Sequence, residues 1–284
     1  MCVGRCLVTT RCAGPAWLFC PADRPERFAT AALIADVVVV DLEDGVAATD
    51  KQAARAALLA SPLDPARTVV RINAGAPDFQ ADLDVLRRSA YTTVMLPKSE
   101  TGQQIRDLAP WDVVVLIETP LGSLNVAECA RQDNTVAVMW GVEDLFAALG
   151  GGSNRHADGK LRDAAQHVRY TSLLAAKAFD RLALDTVYAD IKDTAGLRAE
   201  VDEAVAVGFD AKVAIHPSQV SVIRDGYAPA ADQLAWARRV LAAAQEQRGV
   251  FELDGMMVDM PILRRAERVL HYRVDGGRNE TRRP

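Results

Sequence analysis

A closed (β/α)8 barrel carrying a C-terminal hairpin-plus-helix extension is the fold this sequence predicts, from three observations. Eight short apolar runs rich in β-branched residues recur along the chain without polar alternation, as strands buried on both faces of a parallel sheet do. Ala- and Leu-rich stretches with helical spacing separate most of them, which implies βαβ units. No G-x-G-x-x-G follows the first run, which disfavours an open dinucleotide-binding sheet, and 284 residues suffice for one large barrel core.

The runs span residues 17–19, 37–40, 69–72, 93–96, 113–117, 136–139, 182–187 and 212–215. Helical spacing predicts helices over 25–35, 51–59, 81–88, 163–179 and 197–207, and Gly208 stands where the last of these needs a left-handed C-terminal residue. The glycines at 150–152 follow a helix-like stretch rather than a strand, so they read as a loop and not as a phosphate cradle. Past the eighth run, 232–247 reads as an amphipathic helix carrying Trp236. The segment 251–259 reads as a hairpin around Asp254-Gly255, and Pro261 opens a last helix ending near Leu270. The organisation expected is a disordered tail over 1–14, the barrel over 15–228, an extension over 229–273 and a second disordered tail over 274–284.

A net charge of -5 without any basic block argues against a nucleic-acid partner. No apolar run approaches the about 20 residues of a membrane span. Cysteines number 5: Cys2, Cys6 and Cys12 crowd the N-terminus, while Cys20 and Cys129 lie apart. An odd count so distributed is no disulfide framework, and a reducing cytoplasm is the expected location. The N-terminal segment lacks the apolar stretch of a signal peptide, and its three cysteines read as tail residues rather than metal ligands.

In such a barrel the chemistry sits at the C-terminal ends of the strands, so the residues ending each run outline a candidate site. They are Asp23 and Arg24; Asp41, Glu43 and Asp44; Arg71 and Asn73; Lys98; Glu118 and Thr119; Glu143 and Asp144; Asp190; and His216, Ser218 and Gln219. Glu118 closes VVVLIET and Asp144 follows VAVMWGVED, and carboxylates ending buried strands need cationic company. A hard divalent cation such as Mg2+, bound by one or two carboxylates plus substrate oxygens, is the simplest occupant. Arg71 is the natural bidentate partner for a carboxylate. Each residue also has a plainer reading. Arg24 before Pro25 is a helix entry, Asp44-Gly45 a turn, and His216 a loop hydrogen-bonder. Glu143 and Asp144 both favour the N-terminus of a helix over 145–149, with Asp144 read as the metal ligand and Glu143 as structural. Lys98 reads as an ion-pair partner rather than a Schiff-base lysine, and Asp259 is equally an N-cap ahead of Pro261.

RPERF, DLEDGV, VVRIN, MLPKSE, IET, WGVEDL, GFDAKVAIHPSQ and MVDMP, in this order from about Trp17 to Leu270, closely resemble the HpcH/HpaI aldolase family. Within it they resemble the citrate lyase β-subunit-like proteins, which include malyl-CoA and citramalyl-CoA lyases. The resemblance implies a homotrimeric or hexameric barrel whose C-terminal extension packs on a neighbouring subunit. It also implies Mg2+, with Mn2+ as a substitute, held by Glu118 and Asp144, and substrate contacts from Arg71, Glu118, Arg24 and Lys98. Asp259 of the late motif is implied as an acid/base acting in a neighbouring protomer's site, with Arg71 as the other catalytic residue. Glu43 and Asp44 would position metal-bound waters. The partners implied are a CoA thioester and a small α-keto acid: pyruvate, glyoxylate or oxaloacetate. The activity expected is cleavage of a β-hydroxyacyl-CoA, malyl-CoA, citramalyl-CoA or similar, into an α-keto acid and acetyl-CoA or another acyl-CoA. The alternatives are a citrate lyase β subunit acting on an acyl-carrier-protein thioester, and a barrel that has become a binding protein. One departure from the family pattern is Ala211 in place of glycine, expected to alter the loop after the eighth strand.

Overall fold

In a computed structural model, which describes residues 14–247 and 249–276, eight parallel strands close into a barrel in chain order. They are β1 (Ala16–Pro21), β2 (Val37–Asp41), β3 (Thr68–Arg71), β4 (Thr93–Leu96), β5 (Asp112–Ile117), β6 (Thr135–Trp140), β7 (Leu182–Asp185) and β8 (Ala211–Ala214). Strand β1 pairs with both β2 and β8, which closes the ring. The seventh run ends at Asp185 rather than at Val187, so Asp190 falls well beyond the strand. There its carboxylate accepts the N–H groups of Lys192 and Asp193 at 3.0 and 3.3 Å in an exposed turn.

Helices fill the connections: α1 (Phe28–Ile34), α2 (Lys51–Ala60), α3 (Asp78–Leu86), α4 (Gly102–Arg106), α5 (Pro120–Leu124), α6 (Val126–Ala130), α7 (Val142–Leu149), α8 (Asp163–Ala178), α9 (Thr194–Val207) and α10 (Pro217–Tyr227). The first expected helix is split, because Pro25 opens a 3-10 turn over Pro25–Arg27 before α1 begins. The short α4, α5 and α6 were not legible as helices in the sequence, since five residues are too few to show a helical period, and α4 and α5 are fixed by their N-caps. Thr101 accepts the Gln104 N–H ahead of α4, and Thr119 accepts the Gly122 N–H ahead of α5. Gly208 ends α9 at φ 106°, in the left-handed region that the sequence required of it.

Side-chain alternation along the strands decides which residues enter the barrel. The interior is filled by Trp17, Val37, Val39, Val69, Met95, Val114, Leu116, Ala137, Met139, Leu184, Ala211 and Val213, with Phe19 packed against them. Continuing each strand by two residues carries the same parity from Val39 to Asp41, Val69 to Arg71, Leu116 to Glu118 and Met139 to Gly141. The opposite parity gives Trp140, Asp185 and Lys212, all buried on the outer face of the wall. Ala211 opens β8 and lies buried inside the barrel, so this departure from the family pattern belongs to the interior packing and not to the loop after the strand.

The chain divides into two compact units, the second beginning at Asp225. That unit holds α11 (Ala231–Glu246), an antiparallel hairpin of β9 (Phe251–Leu253) and β10 (Met256–Val258), and α12 (Met260–Gly276). Asp254 and Gly255 take φ of 55° and 78°, the two left-handed residues of a tight hairpin turn. Ala237, Val240, Phe251, Val258 and Ala266 form its own small core. Helix α12 runs past the expected end near Leu270. Cys2, Cys6, Cys12 and the last residues, 277–284, lie outside the described residues. Among the described residues no helix is long and apolar enough to cross a membrane.

Candidate active site

Arg71 is fixed from three sides at the mouth of the barrel. Its Nε and Nη2 donate to the two oxygens of Asp41 at 2.7 and 2.6 Å, and Nη1 lies 3.1 Å from Glu43 Oε2. The guanidinium stacks over the Phe19 ring, 4.6 Å from its centroid. Burial alone would lower the Arg71 pKa, but the hydrogen bond to Asp41 and the charges of Asp41, Glu43 and Glu118 hold it above its ordinary value. Arginine carries five N–H donors, so two remain for a substrate.

Lys98 joins this layer from the end of β4. It takes φ 51°, a left-handed conformation uncommon for a residue with a side chain. Its backbone N–H donates to Glu118 Oε1 at 3.0 Å, and its ammonium reaches Glu43 Oε1 at 2.5 Å. The ammonium also stands 3.5 Å from Asp44 and 4.0 Å from both Glu118 and Asp144. Burial opposes that charge, but Glu43, Glu118 and Asp44 raise its pKa, so it is an ion-pair partner and no free amine nucleophile.

Glu118 is the outlier. Its carboxyl is pushed up to about 8, first by burial and then by the nearby charge of Asp144, with Lys98 and Arg71 only partly offsetting this. Asp144 sits in the first turn of α7, which starts directly after Gly141. A Cβ on Gly141 would stand 2.8 Å from Glu118 Oε2, so glycine keeps that oxygen's surroundings open. No group of three or more Asp, Glu, His or Cys side chains converges to hold an ion among the described residues. Glu118 and Asp144 nevertheless suit a cation that takes one or two carboxylates and fills its other positions with water and substrate oxygens, which is the habit of Mg2+. A dipositive ion between them would also remove the repulsion that raises Glu118.

The DLEDG loop is braced from below. Lys51 donates to the carbonyls of Leu42 and Glu43, both at 2.7 Å, and to Asn73 at 2.9 Å. Asn73 is thus a brace, tied onward to Asp82 at 2.7 Å, and not a ligand-facing group. Arg24 has only Asp23 as an ionic partner among the described residues, at 4.0 Å, and precedes Pro25 as a helix entry. Glu143 accepts from Asn154 at 2.9 Å, and His216 bonds Ser218 at 2.8 Å, both in the structural roles read from the sequence. Asp259 lies in the second unit, where Ile262 N–H donates to its Oδ1 at 3.2 Å as an N-cap.

A second charged cluster, passed over in the sequence, lies behind the wall. Asp185 accepts from Trp140 Nε1 at 2.8 Å, from Arg169 Nε and Nη2 at 3.0 and 2.9 Å, and from Lys212 Nζ at 3.1 Å. Lys212 continues to the Thr186 carbonyl at 2.7 Å and to Glu200 at 3.2 Å, and Glu200 pairs with Arg155 at 2.6 Å. Asp185 and Lys212 fall within the runs 182–187 and 212–215, and strand parity turns them to the outer face of the wall.

A model of the HpcH/HpaI aldolase/citrate lyase family matches residues 16–217, the whole barrel wall together with the mouth residues above. The chain belongs to that family. As a member of the HpcH/HpaI family it is an aldolase-type carbon–carbon lyase. The citrate lyase subunit beta-like protein of Mycobacterium tuberculosis is 60% identical over 261 residues, 92% of this chain and 96% of that protein. The crystal structure of CitE from M. tuberculosis in complex with magnesium, acetoacetate and coenzyme A aligns with a TM-score of 0.89 at 59% identity, covering 94% of this chain and 100% of that one. Human mitochondrial citramalyl-CoA lyase is 31% identical over 266 residues, 82% of this chain and 77% of that protein.

Proposed function

We propose that this chain cleaves a β-hydroxyacyl-CoA bearing a carboxylate, of the malyl-CoA or citramalyl-CoA kind, into an α-keto acid and acetyl-CoA or another acyl-CoA. The observation that carries the reading is the pairing of Glu118, pushed up to about 8, with Asp144 beside a guanidinium already fixed in place. The complex of the M. tuberculosis protein with magnesium, acetoacetate and coenzyme A supports the same ligand set here. Glu118 and Asp144 would hold Mg2+, which when bound supplies Lewis acidity toward the carboxylate and hydroxyl oxygens of the substrate. The keto acid released is pyruvate, glyoxylate or oxaloacetate.

Cleavage breaks the bond between the α and β carbons. The hydroxyl proton passes to water, the pair of the breaking carbon–carbon bond moves onto the thioester as an enolate, and a proton from the general acid returns to the α-carbon. The two N–H groups of Arg71 left free by Asp41 and Glu43 stabilise the negative charge as it develops. Glu43 lies 3.1 Å from that guanidinium and is itself held by Lys98. Asp259 is the proposed general acid, reaching the site of a neighbouring copy in a homotrimer or hexamer. A cytoplasmic location fits two buried free thiols, Cys20 and Cys129, which burial pushes up to about 11 and about 12.

Purified protein assayed against malyl-, citramalyl- and hydroxymethylglutaryl-CoA should turn over at least one, lose that activity with a chelator, and regain it with Mg2+ or Mn2+. Activity that survives chelation would reject the metal-dependent reading, and turnover of an acyl-carrier-protein thioester alone would favour the citrate lyase alternative. The trans role of Asp259 is tested by mixing Asp259→Asn with Arg71→Ala under subunit exchange, which should restore partial activity. A fully active Asp259→Asn protein leaves Asp259 as an N-cap only.

A further inference from the structure

We infer that Asp41 is the positioning residue for Arg71: it holds the guanidinium in the one orientation that leaves two N–H groups facing substrate. The inference rests on the reading of Arg71 given above. Asp41 ends β2 directly beside Arg71 in register, and its carboxylate is buried at 2% exposure. Each of its oxygens accepts two donors, one from Arg71 and one from its own loop. Oδ1 takes Arg71 Nε and the Glu43 N–H, and Oδ2 takes Arg71 Nη2 and the Gly45 N–H. All four bonds lie between 2.6 and 2.9 Å. The carboxylate is thus filled by protein donors, which sets it apart from Glu118 and Asp144 as a potential cation ligand. A Cβ on Gly45 would collide with Asp41 Oδ2, so the loop closes over the carboxylate only because that residue is glycine.

Two substitutions separate positioning from mere support. Asp41→Asn places an amide against two donors whichever way it is turned, so at least one tie to Arg71 is lost. Gly45→Ala keeps every charge but pushes the carboxylate aside, which keeps the test open if the first variant does not fold. Both should lower kcat by about tenfold to a hundredfold, with KM for the best CoA thioester within about twofold and Mg2+ binding by calorimetry unchanged. In the Asp41→Asn, Arg71→Lys double variant, kcat should fall no further than in Arg71→Lys alone, because the two residues act as one unit. Wild-type kcat in both Asp41→Asn and Gly45→Ala, with Arg71→Lys impaired, would overturn the inference while leaving the reading of Arg71 intact. Additive losses in the double variant would also overturn it. An unimpaired Arg71→Lys would instead reject the reading of Arg71 on which the inference stands.

Discussion

At the barrel mouth Asp41, Glu43, Asp44, Glu118 and Asp144 share two cations, Arg71 and Lys98, whereas behind the wall Asp185 and Glu200 share three, Arg155, Arg169 and Lys212. The residue types are the same, but the mouth draws on the ends of β2, β3, β4 and β5 and on α7, whereas Asp185 and Lys212 come from β7 and β8. The outcome differs in sign. Glu118 is pushed up to about 8, while Asp185, although fully buried, stays below its ordinary value because Lys212 and Arg169 outweigh the burial. A buried carboxylate with surplus cations is a strut; one with too few is a place for a cation from solution. Strand parity turns Asp41, Arg71 and Glu118 inward and Asp185 and Lys212 outward, just as Trp140 and Gly141, neighbours in sequence, face opposite sides of the wall.

The largest effect expected is at the mouth. Glu118→Gln should abolish Mg2+ binding and turnover, and leave the metal-free protein about as stable as wild type at neutral pH, because the carboxyl it replaces is itself held mostly protonated there. Calorimetric titration and chelator-treated thermal melts check both halves. Retained Mg2+ binding would remove Glu118 from the metal site.

The sealed cluster should respond in reverse. Lys212→Met strands Asp185 and Glu200 without their shared ammonium, and a loss of about 3–5 kcal/mol is expected for breaking one partner out of a buried charge network. Denaturant melts measure it. The surviving folded fraction should bind Mg2+ normally, and a stable Lys212→Met protein that has lost the metal would break the distinction between the two clusters.

How much of this was legible in the sequence follows from the same parity. The barrel and most of the mouth could be read because its strands run apolar and then stop on a charge, as in VVVLIET and VVRIN. Asp185 and Lys212 could not, because they lie inside apolar runs, and a hydrophobic count treats one charge within a strand as noise. Arg169 and Glu200 come from α8 and α9, and no sequence spacing connects them to Asp185. Arg71 was read as facing the substrate's carboxylate or developing oxyanion, with no protein partner assigned to it. That Asp41 takes two of its N–H groups is a property of neighbouring strand register, which the sequence does not state.

The pH dependence sharpens the contrast further. The Glu118 carboxyl is raised from an ordinary 4.5 to about 8 in the metal-free fold. Its stabilising contribution is therefore fully present below pH 4.5 and is lost as pH rises through about 8. Mg2+ must displace that proton, so its affinity should climb by up to about tenfold per pH unit below this value and then level off. Titrations in buffers of different ionisation enthalpy should detect the released proton in wild type. An affinity flat from pH 6 to pH 8 would show that Glu118 is already ionised.

The smallest effect tests whether the two clusters are independent. Trp140→Phe removes the indole N–H that donates to Asp185 at 2.8 Å and leaves a small gap in a fully buried position. Asp185 keeps its bonds to Arg169 and Lys212, so a loss of about 1–3 kcal/mol is expected rather than collapse. The next residue, Gly141, is held separately, its N–H donating to the Ile117 carbonyl at 2.9 Å, and α7 then carries Asp144. Because those ties do not pass through the indole, Mg2+ affinity and kcat should stay within about twofold of wild type. A variant that keeps its stability but binds Mg2+ tenfold more weakly would show that the network behind the wall aims Asp144. The sealed cluster would then be part of the site's positioning and not only of its support.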